Sequence, residues 1–240
     1  MTSDSKSVIP LESNPAIFSE LGHTIGLSPV LEFHDVYSLT EPDLLALLPN
    51  PVYALILLFP LTPDYENLRH QQDSKKSDYN NELFEQIKWF KQTIGNGCGL
   101  YALLHALSNL PKELIIHNSL FANFMGQINK QLSLQETTIL VENLENSIKL
   151  NENFGEKGQT EAPSADTVVD LHFITFVKGN DEHLYELDGR RKGPIDLGIS
   201  NQDSIINESN VIDKIQFYMN NADEANRIKF NIMAIAPSFD

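Results

Sequence analysis

The stretch "KQTIGNGCGL", residues 91–100, contains Cys98, the only cysteine in the chain. The apolar sequence "LYALLHALSNL" that follows predicts a helix over about 97–109. The start of a helix carries partial positive charge and unpaired N–H groups, which stabilise a thiolate. The flanking glycines, Gly97 and Gly99, let the backbone adopt conformations closed to other residues and let a substrate approach closely. A lone cysteine can also be an inert packing residue, so a nucleophilic role depends on whether the chain supplies a base.

Seven histidines are candidates for that base. His105 is nearest in sequence, but it lies two helical turns after Cys98, about 10 Å along the helix axis. Because a hydrogen bond requires ~3 Å, we expect His105 to be a packed helix residue. Apart from His172, the remaining histidines have no carboxylate partner that the sequence identifies: His23, His34, His70, His117 and His183.

His172 lies in a predicted strand, "VVDLHFITFV", and the next predicted strand, "HLYELD", ends at Asp188. If residues 178–182 form the hairpin loop, Val177 pairs with His183, and His172 then lies directly opposite Asp188. Opposed residues share a face of the sheet with Cβ atoms ~4.5–5.5 Å apart, which suits a hydrogen bond between imidazole and carboxylate. Such a carboxylate orients the imidazole and stabilises its protonated form. A slip of one residue would separate the pair, and a chance meeting at a sheet end is the alternative.

Acyl transfer also requires donors directed at the oxyanion, each worth ~3 kcal/mol. The backbone N–H of Cys98 is one candidate. Gln92, six residues upstream across the glycine turn, could supply its side-chain amide. Together these residues predict a thiol hydrolase with Cys98 as nucleophile, His172 as base and Asp188 as its orienter.

The elements that must position these residues alternate between helix and strand, with no linker that divides residues 1–240. We therefore expect one α/β (α+β) domain with an antiparallel sheet in its second half. The strand "PVYALILLF" has no polar face, which predicts a central place in that sheet. Two polar stretches, 64–82 and 151–166, are predicted to be surface loops, the first of them mobile. Helices are predicted at 13–27, 40–48, 97–109, 119–132, 133–150 and 211–226, and strands at 32–39, 51–59, 168–177, 183–188, 193–198 and 229–237.

Composition limits the functional class. A hydrophobic fraction of 41% in 240 residues is sufficient for a packed core, and one cysteine excludes an intrachain disulfide. No signal peptide is apparent, and the longest apolar run is less than half of the ~20 residues that span a bilayer. We therefore expect an intracellular protein. The net charge of −16 would repel nucleic acid and attract a basic protein, although acidity that serves only solubility is the alternative.

Three segments, "KQTIGNGCGLYALLHALSNL", "ADTVVDLHFITFV" and "LYELDGRRKGP", resemble the ubiquitin C-terminal hydrolase family of cysteine deubiquitinases. "IPLESNPAIFSELGHTIGL", "VYSLTEPDLLALLPNPVYALILLFPLT" and "GQTEAP" resemble the same family, in the same order along nearly the whole chain. The resemblance implies a papain-like fold with a knotted backbone, forming one catalytic domain over residues 1–240.

By motif position, the resemblance implies that Cys98 is the nucleophile, His172 the base, Asp188 its orienter and Gln92 the oxyanion residue. Residues 151–166 correspond to the active-site crossover loop of the family, which limits leaving groups to small or flexible ones. Asp35 corresponds to a position that contacts an arginine of the ubiquitin tail. The resemblance further implies ubiquitin as partner, a monomer without cofactor or metal, and a cytoplasmic location, with the nucleus as the alternative.

Two other functional classes remain open at the level of sequence. A non-catalytic ubiquitin-binding module would share the surface, although the four intact residues argue against it. A hydrolase acting on a ubiquitin-like protein of the NEDD8/Rub1 type would share the chemistry, because that tail also ends in two glycines.

Overall fold

The computed structural model of the chain describes residues 6–77, 79, 81–167 and 169–239. The helices are α1 (Pro15–Ile25), α2 (Pro42–Leu45), α3 (Pro63–Asp73), α4 (Cys98–Ser108), α5 (Leu120–Gln127), α6 (Leu134–Ile148) and α7 (Ser209–Asn220). The strands are β1 (Leu31–Asp35), β2 (Ala54–Pro60), β3 (Leu171–Lys178), β4 (His183–Leu187), β5 (Ile195–Ile199) and β6 (Asn231–Pro237). In the described part of the chain, no helix has both the length and the apolar composition that crossing a membrane requires.

Local sequence signals explain where several helices begin. Asn14 caps α1 by accepting a hydrogen bond from the backbone N–H of Ala16, and Pro15 occupies the first turn. Ser133 and Glu136 form a reciprocal capping box at the start of α6. These two helices confirm the predicted positions to within two residues at each end.

The strands form one six-stranded sheet in the order β1-β6-β2-β3-β4-β5, and every neighbouring pair is antiparallel. β2 lies between β6 and β3, as its uniformly apolar sequence predicted. Its alternating side chains enter two different cores: Ala54 and Ile56 pack on one face of the sheet, and Leu55, Leu57 and Phe59 on the other. The mixed α/β architecture with an antiparallel sheet confirms the predicted fold class.

Helices cover both faces of the sheet. The first core contains buried residues of α1 and α4, among them Phe18 and Leu103. The second core contains Tyr65 of α3 and Ile215 of α7. His172, the second residue of the central strand β3, therefore lies between two helical layers near one end of the sheet.

One predicted loop is wrong in its first half. Residues 64–82 were expected to form a surface loop, but Pro63–Asp73 form helix α3. Thr62 caps this helix by accepting a hydrogen bond from the backbone N–H of Tyr65, and Pro63 begins it. The polar composition concealed the helix because only Tyr65 and Asp73 are buried on it. Asp78 and Asn80 of the predicted loop, and Val168 of a predicted strand, lie outside the described residues.

The predicted register of the β3–β4 hairpin is also wrong, by two residues. Val177 pairs with Tyr185 rather than with His183. The reason is a shorter turn: the backbone N–H of Gly179 donates to the carbonyl of His183 at 2.7 Å, and Glu182 adopts a left-handed φ of 62°. An even shift leaves every side chain on its predicted face, so His172 and Asp188 become diagonal rather than direct neighbours.

Candidate active site

The thiol of Cys98 lies at the start of helix α4, as predicted. The helix begins at Cys98 itself, and Gly97 precedes it without a side-chain cap. Cys98 is 9% exposed, at the edge of the first core. Backbone N–H groups of Phe173 and Gly99 interact with the sulfur and favour its thiolate form. The unpaired N–H groups of the helix start act in the same direction.

The glycines around the thiol serve close packing rather than unusual backbone angles. Contrary to expectation, the left-handed residue of this turn is Asn96, with φ of 55°. A Cβ added at Gly97 would lie 3.1 Å from the carbonyl oxygen of Ile94, and one at Gly95 would lie 2.4 Å from the hydroxyl of Ser7. Small residues are therefore needed because the chain folds tightly against itself before the helix begins.

His172 and Asp188 form a buried hydrogen-bonded pair. The Nε2 of His172 lies 2.7 Å from Oδ1 of Asp188, and the two residues are 2% and 1% exposed. His172 also interacts through a hydrogen bond with the Cys98 thiol. Because Nε2 faces the carboxylate, Nδ1 is the ring nitrogen that can face the sulfur. The structure thus brings together three residues that are far apart in sequence.

The electrostatics of the three residues favour a thiolate and an imidazolium. Burial acts to raise the pKa of the Cys98 thiol, but the hydrogen bond and charge of His172 outweigh it and lower that pKa. Burial acts to lower the pKa of His172, but the charge and hydrogen bond of Asp188, with Cys98, raise it to about 9. Burial acts to raise the pKa of Asp188, but His172 and Tyr65 lower it. The buried site therefore stabilises a chain of alternating charges.

Gln92 lies against Gly189, the residue that follows Asp188. Its backbone N–H donates to the carbonyl of Gly189 at 2.8 Å, and a Cβ on Gly189 would lie 2.8 Å from the Cβ of Gln92. The side-chain Nε2 donates to the carbonyl of Ile94 at 3.1 Å. One N–H of the amide is used by this bond, which leaves the second for another acceptor.

His105 is a core residue, in agreement with the sequence argument. It is 1% exposed, and its Nε2 lies 3.0 Å from the backbone nitrogen of Phe90. Burial lowers the pKa of His105 to about 4, so the ring stays neutral at physiological pH. Its role is to hold the segment before Gln92 against helix α4.

The predicted crossover loop, 151–166, passes beside the thiol turn. It begins with a π-helical turn, Asn151–Gly155. The side-chain amide of Asn96 donates to the carbonyls of Ala165 and Thr167, at 2.9 and 2.8 Å. Since Asn96 precedes Cys98 by two residues, these bonds connect the end of the loop to the turn that leads into Cys98.

The N-terminal segment holds the middle of the same loop. The carboxylate of Glu12 accepts hydrogen bonds from the backbone N–H groups of Gln159 and Thr160, at 3.1 and 3.0 Å, and from the Thr160 hydroxyl. Sequence reasoning missed Glu12 because no local pattern relates it to a segment so distant in the chain.

Asp35 lies at the end of β1, at the opposite edge of the sheet from β5. Its Oδ1 accepts a 3.4 Å hydrogen bond from the Asn231 side chain. The structure does not bring Asp35 into the hydrogen-bonded group of Cys98, His172 and Asp188. Its predicted contact with substrate stays a prediction.

Asp188 is held by two side chains that the sequence analysis did not identify. The hydroxyl of Tyr65 donates to Oδ2 of Asp188 at 2.6 Å, and the indole Nε1 of Trp89 donates to the Asp188 carbonyl at 3.0 Å. A signal for Tyr65 was present in "LTPDYE", where a threonine cap precedes proline and acidic residues, the usual start of a helix. Among the described residues, no group of three or more His, Cys, Asp or Glu side chains could hold a metal ion.

Comparisons with known proteins agree with this geometry. Residues 8–220 match a family model described as ubiquitin carboxyl-terminal hydrolase, family 1. The chain is 36% identical over 246 residues to ubiquitin carboxyl-terminal hydrolase YUH1 of Saccharomyces cerevisiae, with 100% of each chain covered. It is 34% identical to ubiquitin carboxyl-terminal hydrolase isozyme L1 of Rattus norvegicus, over 83% of this chain and 86% of the relative. A crystal structure of the Trichinella spiralis UCH37 catalytic domain bound to ubiquitin vinyl methyl ester superposes with a TM-score of 0.72 and 25% identity, covering 96% of this chain and 95% of that one.

Proposed function

We propose a catalytic mechanism from the premise that the chain belongs to ubiquitin carboxyl-terminal hydrolase family 1 and is therefore a cysteine-type deubiquitinase. The observation that carries the mechanism is the buried contact of Cys98 with His172 and of His172 with Asp188. In the first step, the Cys98 thiolate attacks the carbonyl carbon of the C-terminal glycine of ubiquitin. The His172 imidazolium then protonates the leaving amine or thiol as the acyl-enzyme forms.

The second step is hydrolysis of the acyl-enzyme. Neutral His172 removes a proton from water as the water oxygen attacks the thioester carbon, and the carbon–sulfur bond then breaks with Cys98 leaving as the thiolate. His172 keeps the proton, so release of ubiquitin restores the thiolate–imidazolium pair. Asp188 orients the imidazole and stabilises its charged form throughout. In both steps the oxyanion accepts hydrogen bonds from the backbone N–H of Cys98 and the second side-chain N–H of Gln92.

The surface and the loop around the site support the proposed substrate. A net charge of −16 favours encounter with the basic face of ubiquitin, and Asp35 is proposed to pair with an arginine of the ubiquitin tail. The loop over 151–166, held by Asn96 and Glu12, is proposed to pass over the cleft and restrict leaving groups to small or flexible ones. A cytoplasmic location, a monomeric state and a knotted backbone in one catalytic domain remain predictions.

Replacing the nucleophile tests the mechanism. Cys98→Ala is expected to lower kcat for a fluorogenic ubiquitin C-terminal amide by at least roughly 10⁴-fold, because no other thiol can form the acyl-enzyme. Ubiquitin binding, measured by calorimetry, should persist in the same variant because the binding surface is unchanged. Undiminished turnover would rule out Cys98 as the nucleophile, and binding without turnover in the unmutated protein would indicate a ubiquitin-binding module.

A second measurement tests the substrate. We expect kcat/KM to be higher for the fluorogenic derivative of ubiquitin than for that of a NEDD8/Rub1-type protein. The reverse order would assign the enzyme to the ubiquitin-like protein while leaving the mechanism intact.

A further inference from the structure

The carboxylate of Asp188 is held at both of its oxygens. Oδ1 lies 2.7 Å from Nε2 of His172 and also accepts the backbone N–H of Arg190 at 2.8 Å. Oδ2 accepts the hydroxyl of Tyr65 at 2.6 Å. A carboxylate bonded through one oxygen can still turn about its Cβ–Cγ bond, and a donor on the second oxygen opposes that rotation.

The hydroxyl of Tyr65 is itself rigidly placed. Tyr65 is 6% exposed, and its ring meets those of Phe59 and Tyr218 edge-on, with centroids 4.9 and 5.8 Å apart. The cap at Thr62 holds the backbone N–H of Tyr65 in the first turn of α3. The donor therefore cannot move away from Asp188 without displacing the aromatic cluster.

Helix α3 is also tied to the segment that follows Asp188. Glu66 pairs with Arg190 at 2.8 Å, and Arg69 donates to the Arg190 carbonyl at 3.3 Å. One turn further along, Asp73 accepts the backbone N–H of Lys192 at 3.2 Å. These contacts run along one side of the helix, so α3 and residues 188–192 behave as one body.

We propose that Tyr65 is a positioning residue for the reaction: its hydroxyl fixes the orientation of the Asp188 carboxylate and, through it, the imidazole of His172. The inference rests on the proposed function, in which Asp188 orients His172. Tyr65 is buried behind the carboxylate, so it acts through Asp188 rather than on the substrate.

Tyr65→Phe isolates this role because it keeps the ring and removes only the donor. We expect kcat for the fluorogenic ubiquitin amide to fall by about 10-fold, the size of one lost hydrogen bond to a charged group, with KM unchanged. Cys98 is the only cysteine, so the pH dependence of alkylation by iodoacetamide reports its thiolate directly. In Tyr65→Phe the apparent pKa of this alkylation is expected to rise, because a less ordered carboxylate supports the imidazolium less well.

Tyr218→Phe is the matched control. Tyr218 lies in the same aromatic cluster, is 5% exposed, and donates to a buried carboxylate, that of Glu186, at 2.9 Å. This variant loses an equivalent buried hydrogen bond that does not touch Asp188. We expect it to lower Tm about as much as Tyr65→Phe while leaving kcat and the alkylation profile unchanged. Activities are compared below the Tm of the least stable variant, so that unfolding does not contribute.

Three outcomes would overturn the inference. Wild-type kcat in Tyr65→Phe, or equal losses of kcat in the two tyrosine variants, would reduce Tyr65 to a packing residue. A lower apparent pKa of alkylation in Tyr65→Phe would mean that the hydroxyl merely competes with His172 for the carboxylate. Asp188→Asn is assayed in parallel to distinguish failure of this inference from failure of the proposed function. If Asp188→Asn keeps wild-type kcat, the proposed role of Asp188 itself fails. If kcat falls in Asp188→Asn but not in Tyr65→Phe, only the proposed role of Tyr65 fails.

Discussion

At the scale of single residues, the site depends on charge held in a buried environment. Burial alone would leave Cys98 and His172 neutral, because desolvation disfavours a charge. The Asp188 carboxylate favours the charged imidazolium of His172 and raises its pKa. The His172 side chain in turn favours the charged thiolate of Cys98 and lowers the pKa of the thiol. The reactive ion pair is therefore a consequence of the whole chain of contacts, and removal of any one member weakens the others.

These pKa shifts predict the pH dependence of kcat/KM. Activity requires thiolate and imidazolium together, so it should rise as Cys98 loses its proton, below the ordinary thiol pKa, and fall as His172 loses its proton at about pH 9. In Asp188→Asn the carboxylate that raises the pKa of His172 is gone, so the alkaline limb should move to lower pH. Initial rates with the fluorogenic ubiquitin amide between pH 5 and 10 measure both limbs. An alkaline limb at the same pH in both proteins would contradict this account.

At the scale of elements, the site depends on segments that are distant in sequence but in direct contact. Helix α3 holds the turn after Asp188, and the N-terminal segment holds the loop over 151–166 through Glu12. Burial acts to raise the pKa of Glu12, but the hydrogen bonds from Thr160 and Gln159 lower it to about 2. Glu12 is consequently ionised throughout the physiological pH range, and both of its carboxylate oxygens can accept hydrogen bonds from the loop.

Removing this acceptor should loosen the loop. In Glu12→Ala, the backbone amides of Gln159 and Thr160 lose their partner, and their hydrogen exchange is expected to be faster by roughly 10-fold. Exchange measured by NMR or mass spectrometry checks the change peptide by peptide. Glu12→Gln keeps one acceptor oxygen and should show an intermediate rate, while amides of the distant helix α6 serve as an internal reference. Unchanged protection at both positions would show that Glu12 does not anchor the loop.

At the scale of the whole molecule, charge is the dominant property. Acidic residues outnumber basic ones by 33 to 17, which gives a net charge of −16. Cys98, His172 and Asp188 are almost entirely buried, so we expect this surface charge to act on encounter with the substrate rather than on the bond-breaking steps. The two effects are separable because salt screens exposed charges far more than buried ones.

Salt should therefore slow association selectively. We expect kcat/KM for the ubiquitin amide to fall by roughly 10-fold between about 0.01 M and about 1 M salt, as the Debye length shrinks from about 30 to about 3 Å. Because kcat depends on buried groups, it should change little over the same range. Steady-state kinetics at several salt concentrations distinguish the two parameters. A fall confined to kcat would place the salt effect in the active site.

The sequence by itself was sufficient for the family, the α/β fold class and the residue types of the site. It indicated the start of helix α4 near Cys98 because the apolar run that follows the glycines is a local signal. It excluded His105 as the base because helix geometry is regular. It also placed His172 and Asp188 on one face of the sheet, because the two-residue period of a strand survived an error of two in register.

Only the tertiary structure decided which groups meet at the site. A turn two residues shorter than predicted sets the β3–β4 register, and no pattern within either strand determines that length. Helix α3 was missed because its few buried residues, Tyr65 among them, contact segments more than 100 residues away rather than each other. The bond from Tyr65 to Asp188 exists because two cores on opposite faces of one sheet bring these segments together, and packing between distant segments leaves no periodic trace in the chain.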